Sequence, residues 1–146
     1  MSSPTPTGHV HLSYSLICDD VRLEAGNKLS IMGIFQDIYL PSLPSTVLRF
    51  ALLNHWVGQG RHETRIQLLS PGRGKTLMKT SPSSFSLDAR SFADNVTLFN
   101  NLGFSEYGTH ILQVYLDGFM VKELPLNVLK PPTASQEPPT SSMRVN

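Results

Sequence analysis

Along most of this chain, apolar and polar residues alternate with a period of two over runs of roughly five to ten residues, and Gly, Pro, Asn or Ser closes each run. That period belongs to strands, because successive side chains leave an extended backbone on opposite faces. Val10, Leu12, Tyr14, Leu16 and Cys18 share one face of a first strand, opposite His9, His11, Ser13 and Ser15. A turn follows at Ala25-Gly26-Asn27-Lys28, and the stretch from Leu29 to Leu40 is apolar on both faces, as expected of a strand inside a sheet. Pro41 and Pro44 stop it, since proline donates nothing to a ladder. A helix from Leu16 to Ala25 is the one competing local reading, with Ile17 and Val21 at helical spacing and Gly26 as its cap.

The third strand runs from Val47 to Val57, carries Trp56 as a core anchor, and is expected to end at Gly58-Gln59-Gly60. Arg61 to Leu69 and Lys75 to Thr80 read as a hairpin across Ser70-Pro71-Gly72-Arg73-Gly74. Phe85, Leu87, Val96, Leu98 and Phe99 supply one or two further strands. The clearest local signal comes last: His110 to Leu116, then Asp117-Gly118, then Phe119 to Leu129. Asp-Gly between alternating apolar runs predicts a type I′ hairpin, whose two central residues both need positive φ. Pro125 places the final strand at a sheet edge. The fold class expected is all-β: a single antiparallel β-sandwich of seven or eight strands, immunoglobulin-like in the broad sense.

Composition sets the boundaries. Residues 1–8 and 131–146 hold six of the eleven prolines but only two charged residues, Glu137 and Arg144, so both ends read as disordered tails around a domain at 9–130. No run of about 18 apolar residues exists, which excludes a membrane-spanning helix. Cys18 stands alone, which excludes a disulfide scaffold and fits a cytoplasmic protein.

Three segments carry a family resemblance. They are Leu16-Ile17-Cys18-Asp19-Asp20-Val21-Arg22-Leu23-Glu24 with Lys28 and Gly33-Ile34-Phe35; Trp56-Val57-Gly58-Gln59-Gly60; and Gly108-Thr109-His110 through Asp117-Gly118. Together they resemble a bacterial family of small uncharacterised β-sandwich proteins over most of residues 14–129. The resemblance implies a sandwich and brings no activity or site residue with it. The ending also looks like the last hairpin of immunoglobulin-like domains, except that His110 stands where a tyrosine corner has its tyrosine.

Asp19 and Asp20 with Glu24 form the most conspicuous acidic cluster, and carboxylates of this kind ligate hard cations. Neighbours on a strand point to opposite faces, so a structural role at a bend, or pairing with Arg22 or Lys28, is the stronger expectation. His9 and His11 share a strand face as paired zinc ligands do, but His55, His62 and His110 are scattered, and all five read as exposed strand histidines. Cys18 reads as a small buried hydrophobe. Gly72-Arg73-Gly74-Lys75-Thr76 resembles the end of a phosphate-binding loop but lacks its first glycine and its helix, so it is a hairpin turn.

Charge is distributed unevenly. Residues 1–48 carry −2, residues 49–90 carry +5 and residues 91–146 carry −2, so the total of +1 conceals a basic middle. Arg61, Arg65, Arg73, Lys75 and Lys79 are the candidate partner-binding residues, with Arg61, Glu63, Arg65 and Gln67 alternating onto one face. Aromatic residues do not interleave with these charges, which argues against a nucleic-acid platform. The function expected is a non-catalytic interaction or structural module without cofactor, whose partner is another protein or a second copy. The alternative is a ligand- or cation-binding domain using Asp19, Asp20 and Glu24.

Overall fold

A computed structural model describes residues 8–132. The expected tails at 1–8 and 131–146 therefore lie outside the described residues except for Gly8, Pro131 and Pro132. Eight strands follow in order among the described residues: β1 (Val10–Glu24), β2 (Lys28–Ile34), β3 (Asp37–Tyr39), β4 (Ser45–Leu69), β5 (Thr76–Lys79), β6 (Ser83–Phe104), β7 (Gly108–Leu116) and β8 (Phe119–Leu129), with a single 3-10 turn at Pro71–Arg73. Residues 16–24 are strand, so the helical reading falls: alternation outweighs the i, i+4 pair of Ile17 and Val21.

The strands belong to one sheet ordered β2-β1-β4-β7-β8-β3, with β5 and β6 also pairing with β4. All pairs are antiparallel except β3 with β8, which is parallel. The sheet curls into a half-barrel. This corrects the expected two-sheet, immunoglobulin-like sandwich, and the reason lies in β4. Its residues 51–58 pair with β1 on one edge, and its residues 64–69 pair with β7 on the same edge. One strand thus runs through both halves of the structure, and the curl brings its two halves over a common core.

Gly58 and Gly60 were expected to end that strand; they bend it instead. The β4–β6 register slips between them, and their φ values of 148° and 98° suit glycine. A Cβ on Gly58 would lie 2.2 Å from the His9 carbonyl oxygen, so the bend also lets β1 cross close to β4. The stretch 29–40 is likewise divided. Residues 28–34 pair with β1 and residues 37–39 with β8, which puts this segment at both ends of the sheet path and not in its middle. Phe35 N still donates to Ile17 O at 2.9 Å, and Asn127 N donates to Gln36 O at 2.8 Å, so the bend is held from both sides.

The core gathers Ile17, Phe50, Leu52, Trp56 and Phe99 from one half with Ile66, Leu68, Leu112, Val114, Leu126 and Val128 from the other. Phe50 and Phe99 stack at 4.5 Å, and Trp56 is fully buried as its size predicts. The Asp117-Gly118 turn has φ of 51° and 86°, the two positive values its type requires. Pro125 does sit in a strand whose second edge is covered only over residues 127–129.

Candidate functional site

The basic residues are the first candidates to place. Arg61, Glu63, Arg65 and Gln67 point away from His62, Thr64, Ile66 and Leu68, which are buried. Pairing brings Tyr115 opposite Arg65, Gln113 opposite Gln67, Lys79 on the other side of Gln67, and Glu123 opposite Gln113. The result is a row of donors running one way: Arg65 donates to Gln67 at 3.0 Å, Gln67 to Gln113 at 2.6 Å and Gln113 to Glu123 at 2.8 Å. Arg73, from the 3-10 turn, closes the row with two N–H groups on the Glu123 carboxylate, one of them at 2.9 Å. Arg73 first and Gln113 second hold the Glu123 carboxyl at about 2, well below its ordinary value of 4.5. Arg65 also lies 3.7 Å above the Tyr115 ring. Among the proposed partner-binding cations, Arg65 and Arg73 are thus engaged within the fold, and the side chains of Arg61, Lys75 and Lys79 are solvent-exposed.

The acidic cluster is dispersed. Asp20 pairs with Arg49 at 3.0 Å and Arg22 at 3.5 Å and accepts from the Val21 amide. Asp19 points to the other face, over Gly33, at the rim of a groove of about 400 Å³ that also takes in Asp37, Arg49 and Phe50. Glu24 stands four residues beyond Asp20, about 13 Å along an extended strand. Among the described residues, no three His, Cys, Asp or Glu side chains converge as metal ligands. Cys18 is fully buried, and burial first, then Asp19, raises its thiol above the ordinary value.

The histidines correct the sequence reading most. His62 and His110 are buried, not exposed. His62 bridges the Asp117 carboxylate at 2.7 Å and the Gln59 carbonyl at 2.9 Å, which ties the β7–β8 turn to β4. His110 packs edge-on against Phe104 at 5.1 Å, and burial lowers its pKa. His55 lies half-buried between the rings of Tyr14 at 4.6 Å and Phe92 at 5.2 Å, with Asp94 at 2.6 Å from its Nδ1. Desolvation first, then the Asp94 charge, raises the Tyr14 hydroxyl above its ordinary value. Only the fold brings these four residues together, from three strands.

The same outer face continues into an apolar patch. Leu16 and Cys18 of β1 pair with Leu53 and Ala51 of β4, which pair in turn with Val96 and Leu98 of β6. Ala51, Leu53 and Cys18 are sealed by their neighbours, while Phe92 (60% exposed), Val96 (41%) and Leu98 (48%) stand open to solvent. These three belong to β6, which runs for 22 residues and pairs with β4 alone among the described residues. From 91 to 104 this strand has no proline and one charged residue, Asp94. Exposed edge strands are ordinarily blunted by lysine, proline or short length. None of those devices is present here.

No helix of the described residues is long and apolar enough to cross a membrane. No curated protein matches the chain. Among solved structures it is similar to the Pseudomonas fluorescens alkylpurine DNA glycosylase AlkC bound to DNA containing an abasic site analog, with 14% identity and a TM-score of 0.49 over 64% of this chain. The chain spans 28% of the length of that protein, and a likeness of this degree carries no argument about what the chain does. The uncharacterised family that the three sequence segments resemble is matched directly: the family model covers residues 13–129, and the chain belongs to the family of unknown function DUF6941.

Proposed function

We propose that the chain is a non-catalytic interaction module that recognises another protein through the open edge of β6 and the apolar residues beside it. The single observation that supports this most is the 22-residue strand with one edge unpaired among the described residues. Its backbone donors and acceptors are a ready template for a further strand, and Phe92, Val96 and Leu98 add apolar area at the same place. A protein partner is favoured over nucleic acid because Arg65 and Arg73 already have partners in the fold, the Tyr115 ring and the Glu123 carboxylate. The reading sets the module in the cytoplasm, in keeping with one reduced thiol.

Tagged chain expressed in its native cell tests this, by comparing the wild type with the double variant Val96→Lys, Leu98→Lys. The wild type is expected to retain a stoichiometric protein after mild crosslinking, and the variant to lose it while keeping its melting temperature. A wild-type chain that retains nothing and stays monomeric at high concentration would sink the proposal.

A further inference from the structure

A groove of about 390 Å³ runs beside the β6 edge. One wall is five consecutive residues, Asp94 to Leu98, and the facing wall is residues 64–66 of β4 with Thr80, Ser81 and Ser83. Five consecutive residues include side chains from both faces of the strand, so the backbone edge itself borders the groove. The far wall is already hydrogen-bonded: Thr80 N donates to Ile66 O at 2.9 Å, and Ile66 N donates to Thr80 Oγ1 at 2.9 Å. Among the described residues, β6 pairs only with β4, so its groove-side edge has no partner strand. Asn95, which lines the groove, keeps a buried Oδ1 with no hydrogen-bond partner. An acceptor in that position costs free energy until a donor reaches it.

The shape decides among occupants. β6 of a second copy would arrive with β4 paired along it, and that further strand would have to clear the far wall of residues 64–66 with Thr80, Ser81 and Ser83. Within the chain's own ends, Pro4, Pro6, Pro131, Pro132, Pro138 and Pro139 lack the N–H that a ladder needs. The two faces differ in chemistry: Val96 and Leu98 offer apolar contact on one, with Asp94 at its end, and Asn95 and Thr97 offer amide and hydroxyl groups on the other, while Arg65 on the far wall stacks on Tyr115. We infer that this groove binds an extended segment of a partner protein by strand addition, with small hydroxyl or amide side chains alternating with β-branched apolar ones. This rests on the interaction reading and names its site and ligand class.

The test uses the full chain, isotope-labelled, and a capped peptide of four Thr-Val repeats preceded by two lysines for solubility. Saturable binding is expected, with slowed exchange at alternate amides within residues 94–98. N-methylation of the peptide at one alternating set of positions should weaken binding roughly tenfold or more, and at the other set leave it unchanged, because only one set faces the β6 backbone. Val96→Lys on one wall and Ser81→Trp on the other should each weaken it by a similar factor without altering the melting temperature. Binding that ignores the N-methylation register, shifts confined to other strands, or no binding at millimolar peptide would overturn the assignment. Sedimentation separates the two readings. A dimer that Val96→Lys converts to monomer removes the groove and keeps the interaction module, while a monomer that binds neither peptide nor partner removes both.

Discussion

His62 shows how much a single buried polar residue can organise. Its two ring nitrogens reach two oxygens, one on the Asp117 carboxylate and one on the Gln59 carbonyl. Asp117 in turn accepts from Glu63 N at 2.9 Å, so one carboxylate serves the turn, the histidine and the neighbouring strand. Asp117→Gly keeps the positive φ of the turn but strands His62, and we expect it to lower stability by about 2–4 kcal/mol in urea denaturation, with Asp117→Asn less damaging. Glu123 gives a pH signature. Its carboxyl is held at about 2 when folded against 4.5 ordinarily, so its contribution is complete above about pH 4.5 and fades as pH falls toward 2. Denaturation midpoints measured over that range should fall less steeply for Glu123→Gln than for the wild type. His110 acts in the same direction higher up the scale. Burial favours its neutral ring, so its contribution is full above pH 6.5 and is lost as pH drops below that value. The His110→Phe variant should lack this upper part of the acid destabilisation.

At the scale of the element, the bend in β4 is the device on which the architecture depends. Gly58 combines a φ of 148° with a backbone 2.2 Å from where a Cβ would stand. Gly58→Ala is expected to cost about 2 kcal/mol or more and to loosen β1 first, visible as faster amide exchange over residues 10–12 than over 16–18. A second irregularity lies opposite. On β4, Val47 and Phe50 both pack with the core, and on β6, Phe99 and Leu102 both do, so the alternation slips at Leu48 and Asn101. Asn101 has a φ of 53°, and Leu48 is 75% exposed as a consequence. Such slips are invisible to a count of alternating residues, because the count continues correctly on either side of them.

For the molecule as a whole, one strand shared by both halves makes the halves inseparable. The first part of β4 pairs with β1 and β6, the second with β7 and β5, and the core draws on all of them. Unfolding should therefore be a single transition, with the same midpoint by tryptophan fluorescence from Trp56 and by circular dichroism of the sheet; separate midpoints would contradict a common core.

The sequence by itself determined the strand content, the Asp117-Gly118 hairpin, and the burial of Cys18 and Trp56, because each rests on local rules of period and φ; Pro125 marks a stretch of β8 paired on one side, but β3 covers the end of that strand, so β8 is not the sheet's edge. Family membership was legible too, since it lies in the residues themselves. Only the tertiary structure decided that Gly58 and Gly60 bend a strand instead of ending it, that His62 and His110 are buried, that Arg65 and Arg73 are engaged by Tyr115 and Glu123, and that β6 has, among the described residues, a free edge beside a groove. The physical reason is the same in each case. A period of two says which side chains share a face, but which face is covered, and which edge is paired, depends on strands brought together from distant parts of the chain.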